Sequence, residues 1–128
     1  MENMAITEAR IKGAYETVRD KLDTDMYFFL AGMHMKMISK PLLDVFAASL
    51  ALKRCGFMKF TSSILEGLIG RSDNDRTGLL YNLHKLGSFG IILNLKYDNT
   101  QSYVFMLGEQ ALKFFNKKVK DIPLAVVG

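Results

Sequence analysis

Apolar residues at Ile11, Ala14, Tyr15, Val18 and Leu22 recur at intervals of three and four among Arg10, Glu16, Arg19 and Asp20, which predicts an amphipathic helix over residues 6–22. Asp23-Thr24-Asp25 reads as a stop followed by a fresh N-cap. The almost wholly apolar stretch 26–38, with methionines at 26, 33, 35 and 37, then becomes a second helix buried on most sides. Ser39 caps a third helix with Pro41 in its first turn, where the missing amide hydrogen costs nothing, and Gly56 is its stop. Leu42, Leu43, Phe46, Leu50 and the intervening alanines form its buried stripe. Thr61 or Ser62 caps a fourth, short helix through Ile69, ended by Gly70.

A polar turn, Arg71-Ser72-Asp73-Asn74-Asp75, leads to a helix capped by Asp75, with Leu79, Leu83 and Leu86 on its buried side and Gly87 or Gly90 at its end. There the period changes. Residues 91–97 and 102–107 are rich in β-branched, aromatic and aliphatic residues and are separated by Asp98-Asn99-Thr100-Gln101, the pattern of a hairpin. After Gly108, Ala111, Leu112, Phe115 and Val119 mark a last helix with a flank of Lys113, Lys117, Lys118 and Lys120. The predicted order is five helices, two strands and a helix, a mainly α chain with a small β-hairpin (α+β). It has no internal repeat and no low-complexity segment.

At 128 residues the chain is the size of one compact domain, within which 1–38 reads as an N-terminal helical extension, 39–122 as the main body and 123–128 as a tail. With 49% hydrophobic and 23% charged residues it reads as ordered and globular. One cysteine, Cys55, and two histidines are too few for a disulfide or a zinc cage, and no apolar run reaches the ~20 residues of a spanning helix. A cytoplasmic protein with no membrane association, metal or cofactor is expected. The net charge of +4 is uneven: residues 1–35 carry four bases against six acids, the rest thirteen bases against seven acids. Such an excess suits a polyanionic partner.

A short helix, a polar turn, an amphipathic helix and an immediate hairpin resemble a winged helix-turn-helix. Leu79, Leu83, Leu86, Gly90, Ile91 and Ile92 are similar to the V-x-x-x-L-x-x-L-x-x-x-G-L-I run joining recognition helix to wing in MarR-like bacterial regulators. Leu65 and Ile69-Gly70 resemble the L-x-x-x-L-G ending of the preceding helix, and Leu107-Gly108-Glu109-Gln110-Ala111 the L-T-E-x-G that opens the C-terminal helix. The likeness spans residues 41–115. The turn after Gly70 is longer than in that family, Gly78 weakens the helix by roughly 1 kcal/mol relative to Ala, and the hairpin tip carries no arginine.

The resemblance implies a winged helix-turn-helix with flanking helices at both ends that binds double-stranded DNA as a homodimer joined through the N-terminal and last helices. By it, the helix 75–87 reads the major groove and the wing 91–107 the flanking DNA. Arg76, Thr77, Tyr81 and Asn82 would then face DNA, Arg forking onto guanine and Asn onto adenine. Arg71, Asn74 and Lys85 would flank the helix at the phosphates, with Lys96, Asn99 and Gln101 on the wing and Lys59 near the fourth helix. A nucleoid-associated transcriptional regulator, with an effector or partner protein between the N-terminal helices and the wing, is the first role. The alternatives are a centromere- or origin-binding adaptor, similar to those of tubulin-like partition systems, and a winged-helix protein-interaction module.

Other residues read more plainly. Tyr81 packed under the hairpin is the alternative to a DNA contact, His84 beside the leucine stripe reads as a hydrogen-bonded structural histidine, and Cys55 as an inert thiol. The four methionines with Tyr27, Phe28 and Phe29 read as core filling rather than as an adaptable partner surface. No phosphate loop, metal-ligand spacing or nucleophile with a base is present, so no catalytic residue is assigned and an enzyme is not expected.

Overall fold

The structure, a computed structural model, describes the backbone of residues 2–70, 76–95 and 103–123, and the side-chain surroundings of 7–70, 78–95 and 103–123. It is mainly helical: α1 Glu2–Gly32, α2 Lys40–Arg54, α3 Ser62–Ile69, α4 Arg76–Ser88 and α5 Glu109–Phe114, which runs on into a π-helical segment, Phe115–Val119. Three short strands, β1 Phe60–Thr61, β2 Ile92–Leu95 and β3 Val104–Leu107, form one antiparallel sheet in the order β1-β3-β2.

The break expected at Asp23-Thr24-Asp25 is absent, and one helix replaces the two read from the sequence. Ile11, Ala14, Val18, Leu22, Met26 and Leu30 are all buried, each three or four residues after the last, so the apolar stripe passes through the acidic triplet without losing phase. Asp23 and Thr24 merely occupy the solvent side of a continuous helix. α1 ends instead with His34 in the left-handed region at φ 67°, while the Met35 amide reaches back to the Leu30 carbonyl at 3.2 Å. That six-to-one bond is a Schellman closure with histidine in the usual glycine place.

α2 is the axle of the molecule. From Leu42 to Leu52 every residue but Asp44 is buried, because α1, α3, α4, β3 and the π-helical segment all pack against it. Its start is as read from the sequence: the Ser39 hydroxyl accepts from the Leu42 amide at 3.3 Å, and Pro41 sits in the first turn. Phe29 of α1, Phe46 of α2 and Phe114 of α5 meet with ring centroids 4.9–5.7 Å apart, tying three helices together. Asp44 is tied to α1 by Arg19 Nε at 2.6 Å, and Arg19 also bonds Asp23 one turn along its own helix. Phe29 fills the core as expected; Tyr27 and Phe28 instead stand out from α1, Phe28 with 66% of its surface exposed.

Thr61 caps α3 by accepting from the Ile64 amide at 3.2 Å, and its backbone belongs to β1. That strand leaves no sequence signal: two residues carry no period, and their pairing partners Val104 and Phe105 lie far along the chain. Among the described residues the hairpin strands run over Ile92–Leu95 and Val104–Leu107, and the expected positions 96, 97 and 102 lie outside them. α5 turns π-helical within its first two turns, which helical spacing alone does not distinguish.

The turn that follows α4 is locked to the start of α5. Gly90 adopts φ 73°, the Gly108 amide donates to the Ile91 carbonyl at 2.8 Å, and a Cβ built on Gly108 would lie 1.9 Å from the Gly90 carbonyl oxygen. Gly108→Ala must therefore push two backbones apart. We expect a loss at or above the upper end of the ~1–3 kcal/mol typical of overpacking, measured as a lowered urea midpoint. A second expectation concerns pH. Burial first, then the Asp44 carboxylate, push the Tyr15 hydroxyl up to about 12 from its ordinary 10.0. The stability tied to the neutral phenol is complete below pH 10 and is lost as pH rises towards the folded-state value. Ultraviolet titration should find one of the five tyrosines ionising last, in step with unfolding.

Candidate nucleic-acid interface

Each residue of an α-helix turns the chain by about 100°, and Leu79, Leu83 and Leu86, all buried, fix which side of α4 faces the core. Asn82 stands three after Leu79 and four before Leu86, within that same stripe. It is 6% exposed, one of three polar residues among the described ones that are buried. Among the described residues no buried side-chain nitrogen or oxygen lacks a hydrogen-bond partner. The expectation that Asn82 faces outward is therefore corrected: its neighbours at i−3 and i+4 are core leucines, and it belongs with them.

The outward side belongs to Tyr81, His84 and Ser88. Tyr81 is 64% exposed and does not pack under the hairpin. His84 is exposed as well, since one step beyond Leu83 swings it away from the core, so its reading as a structural histidine is corrected too. Lys85 meets the polypeptide rather than open solvent: its Nζ donates to the carbonyls of Lys36 at 2.7 Å and Met37 at 3.0 Å, in the loop between α1 and α2.

Of the other sequence candidates, Arg76 and Thr77 begin α4, and their side chains fall outside the described surroundings. Arg71, Asn74, Lys96, Asn99 and Gln101 lie outside the described residues, as does Asp75, the expected cap. Lys59 is exposed next to β1, on the far side of β3 from β2.

Between α4 and the sheet runs an open cleft of about 510 Å³. One wall is α4, with His84, Gly87 and Ser88; the other is the sheet face of Ile92, Asn94, Tyr103 and Phe105. The register explains the second wall. Asn94 pairs with Phe105 and Ile92 with Leu107, so these residues and Tyr103 share one face, buried at its base and exposed towards Tyr103. The Ser88 hydroxyl already donates to the Lys85 carbonyl at 2.7 Å, which leaves His84, Asn94 and Tyr103 to bring ring, amide and phenol donors to the cleft. Sequence reasoning weighs His84 only as a structural histidine and passes over Asn94 and Tyr103, for which the alternation of 92, 94, 103, 105 and 107 is the available signal.

Charge sharpens the picture. No acid occurs from 76 to 97 or from 26 to 43, whereas α1 displays Glu8, Glu16, Asp20 and Asp23. Cys55 is half-buried, and burial pushes its thiol up against the pull of Arg10 and Arg54, as befits an unreactive side chain. Among the described residues no helix is long and apolar enough to cross a membrane, and no group of three or more His, Cys, Asp or Glu could hold a metal ion. No protein-family model, curated protein or solved structure matches the chain.

Asn82 and His84 should separate cleanly in a stability assay. Asn82→Asp, which sets a carboxylate among leucines, is expected to cost roughly 2 kcal/mol or more, and His84→Ala to stay within about 0.5 kcal/mol of wild type. Chemical denaturation of the two variants checks this.

Proposed function

We propose that this chain is a winged helix-turn-helix protein that binds double-stranded DNA as a homodimer, laying α4 in the major groove with the β2–β3 hairpin against the flanking backbone. The observation that carries the reading is the acid-free outer side of α4, where Tyr81 stands exposed and His84 opens onto a cleft whose far wall is the hairpin. A duplex bound by helix and hairpin together places one phosphate strand between them. The donors of His84, Asn94 and Tyr103 stand where that strand would run. The element order from α2 to α5 and the sheet order β1-β3-β2 support the same reading, since a helix pair followed at once by a hairpin lets the second helix project.

The dimer follows from reach. One recognition helix covers only a few base pairs, and two half-sites about a helical turn apart supply usable specificity. The exposed edge-to-face pair Tyr27 and Phe28 on α1 gives the N-terminal helix apolar surface for that contact. Sequence reading as a transcriptional regulator is the role proposed, and a partition adaptor is the runner-up.

Fluorescence anisotropy over a salt series tests the proposal. Affinity for duplex DNA should fall steeply between about 50 and 200 mM salt as counterions are released. Tyr81→Ala should cost ~1–3 kcal/mol on the preferred site and flatten sequence preference, while Tyr103→Phe should weaken all duplexes alike. Salt-independent or absent binding refutes the reading. A footprint on a single palindrome speaks for regulation, and one on tandem repeats for partition.

A further inference from the structure

The outer side of α4 is flanked twice, by the hairpin cleft beyond His84 and by the α1–α2 loop, residues 33–39, on the side of Lys85. The loop is held in a definite shape. From within, Met35 is buried as a plug between α1 and α2. From outside, Lys85 Nζ spends two of its three donors on successive carbonyls, those of Lys36 and Met37. Met37 is left-handed at φ 56° although it is not glycine, and its side chain is 89% exposed, so no packing of its own holds it there. The clasp from Lys85 bonds that backbone directly, between the buried Met35 and Ile38, which packs against the core.

What the clasp presents is positive. Lys36 and Lys40 are both exposed, His34 is exposed beside them, and the nearest acid along the chain, Asp44, is taken by Arg19. Tyr81 stands one turn before Lys85 on the same helix, so the loop borders the residue proposed to meet base edges.

We propose that this loop is a second DNA-contacting element, with Lys36 and Lys40 gripping phosphates on the side of α4 opposite the hairpin, and Lys85 as the residue that positions them. The inference rests on the DNA-binding reading above. Lys85 thus exchanges its sequence-derived role as a phosphate contact for that of a positioning residue, acting through two carbonyls of another element.

The test is the slope of log affinity against log salt, measured on one duplex with the full chain. Each phosphate contact contributes about 0.9 to that slope. Lys36→Gln/Lys40→Gln should lower it by about 1.8 per protomer, about 3.6 for the homodimer on one duplex, with unchanged sequence preference and an unchanged melting temperature, since both side chains are exposed. Lys85→Met alone should lower the slope as the loop is released, Lys85→Arg, which keeps a donor pair, should restore it, and Lys85→Met added to the double variant should change it no further. A slope unchanged in the double variant, while the wild-type chain binds with strong salt dependence, overturns this inference and leaves the DNA reading standing. An additive effect of Lys85→Met overturns the positioning role. A wild-type chain whose binding ignores salt overturns both.

Discussion

The burial of α2 on every side is the constraint from which the remaining architecture follows. A helix that is apolar all round has no solvent face and must be enclosed. The small residues Ala47, Ala48, Ser49 and Ala51 let its neighbours come close, and the Ser49 hydroxyl donates to its own Val45 carbonyl at 2.9 Å rather than seeking a partner outside. One long cover is needed, and α1 supplies it with a stripe that stays in phase for five turns. α4 supplies another with Leu79, Leu83 and Leu86. The same three leucines that enclose α2 therefore decide which residues of α4 are left to meet a partner. Core packing and the composition of the candidate interface are one choice seen from two sides.

Local chemistry was legible and non-local chemistry was not. Ser39 and Thr61 announce helix starts because a hydroxyl accepting from an amide three residues on is a contact between sequence neighbours, and Gly56 and Gly70 announce ends for a similarly local reason. The triplet Asp23-Thr24-Asp25 gave the same kind of local signal and misled, because cap preference is a weak term beside the burial of Val18, Leu22, Met26 and Leu30 along one line. β1 exists only because β3 is there to pair with it. The Lys85 clasp joins residues 48 and 49 apart in sequence and ends on backbone carbonyls, which carry no residue-type signature.

On α4 the failure was of another kind, since the information was present. The winged-helix resemblance turns Asn82 outward, where an amide suits adenine, whereas its spacing from Leu79 and Leu86 puts it in the core stripe. His84 reads as a structural histidine from its place beside the leucine stripe, and the structure leaves it exposed. Resemblance argues for function and periodicity for position, and at both places the structure follows the helical period. The general hairpin position was legible from its β-rich composition, while the cleft it forms with α4 depends on the register that sets Asn94 opposite Phe105.

Binding to a duplex requires that helix and hairpin keep a fixed separation, because a phosphate strand held between them is contacted from both walls at once. The structure meets that requirement with backbone rather than with side chains. The Ile91 amide bonds the Leu86 carbonyl at 3.0 Å, the Gly108 amide bonds the Ile91 carbonyl, and the Gly90 carbonyl lies where any side chain on residue 108 would have to go. The end of α4, the start of β2 and the start of α5 thus meet at one point with no rotatable side chain between them. Opposite, the loop 33–39 is joined to α4 by the hydrogen bonds of the flexible Lys85 side chain. The stiff wall suits a surface that must match the spacing of a duplex. On the proposed reading, the tethered wall would suit lysines that meet phosphates, which recur along a nucleic-acid backbone and tolerate a shift in register.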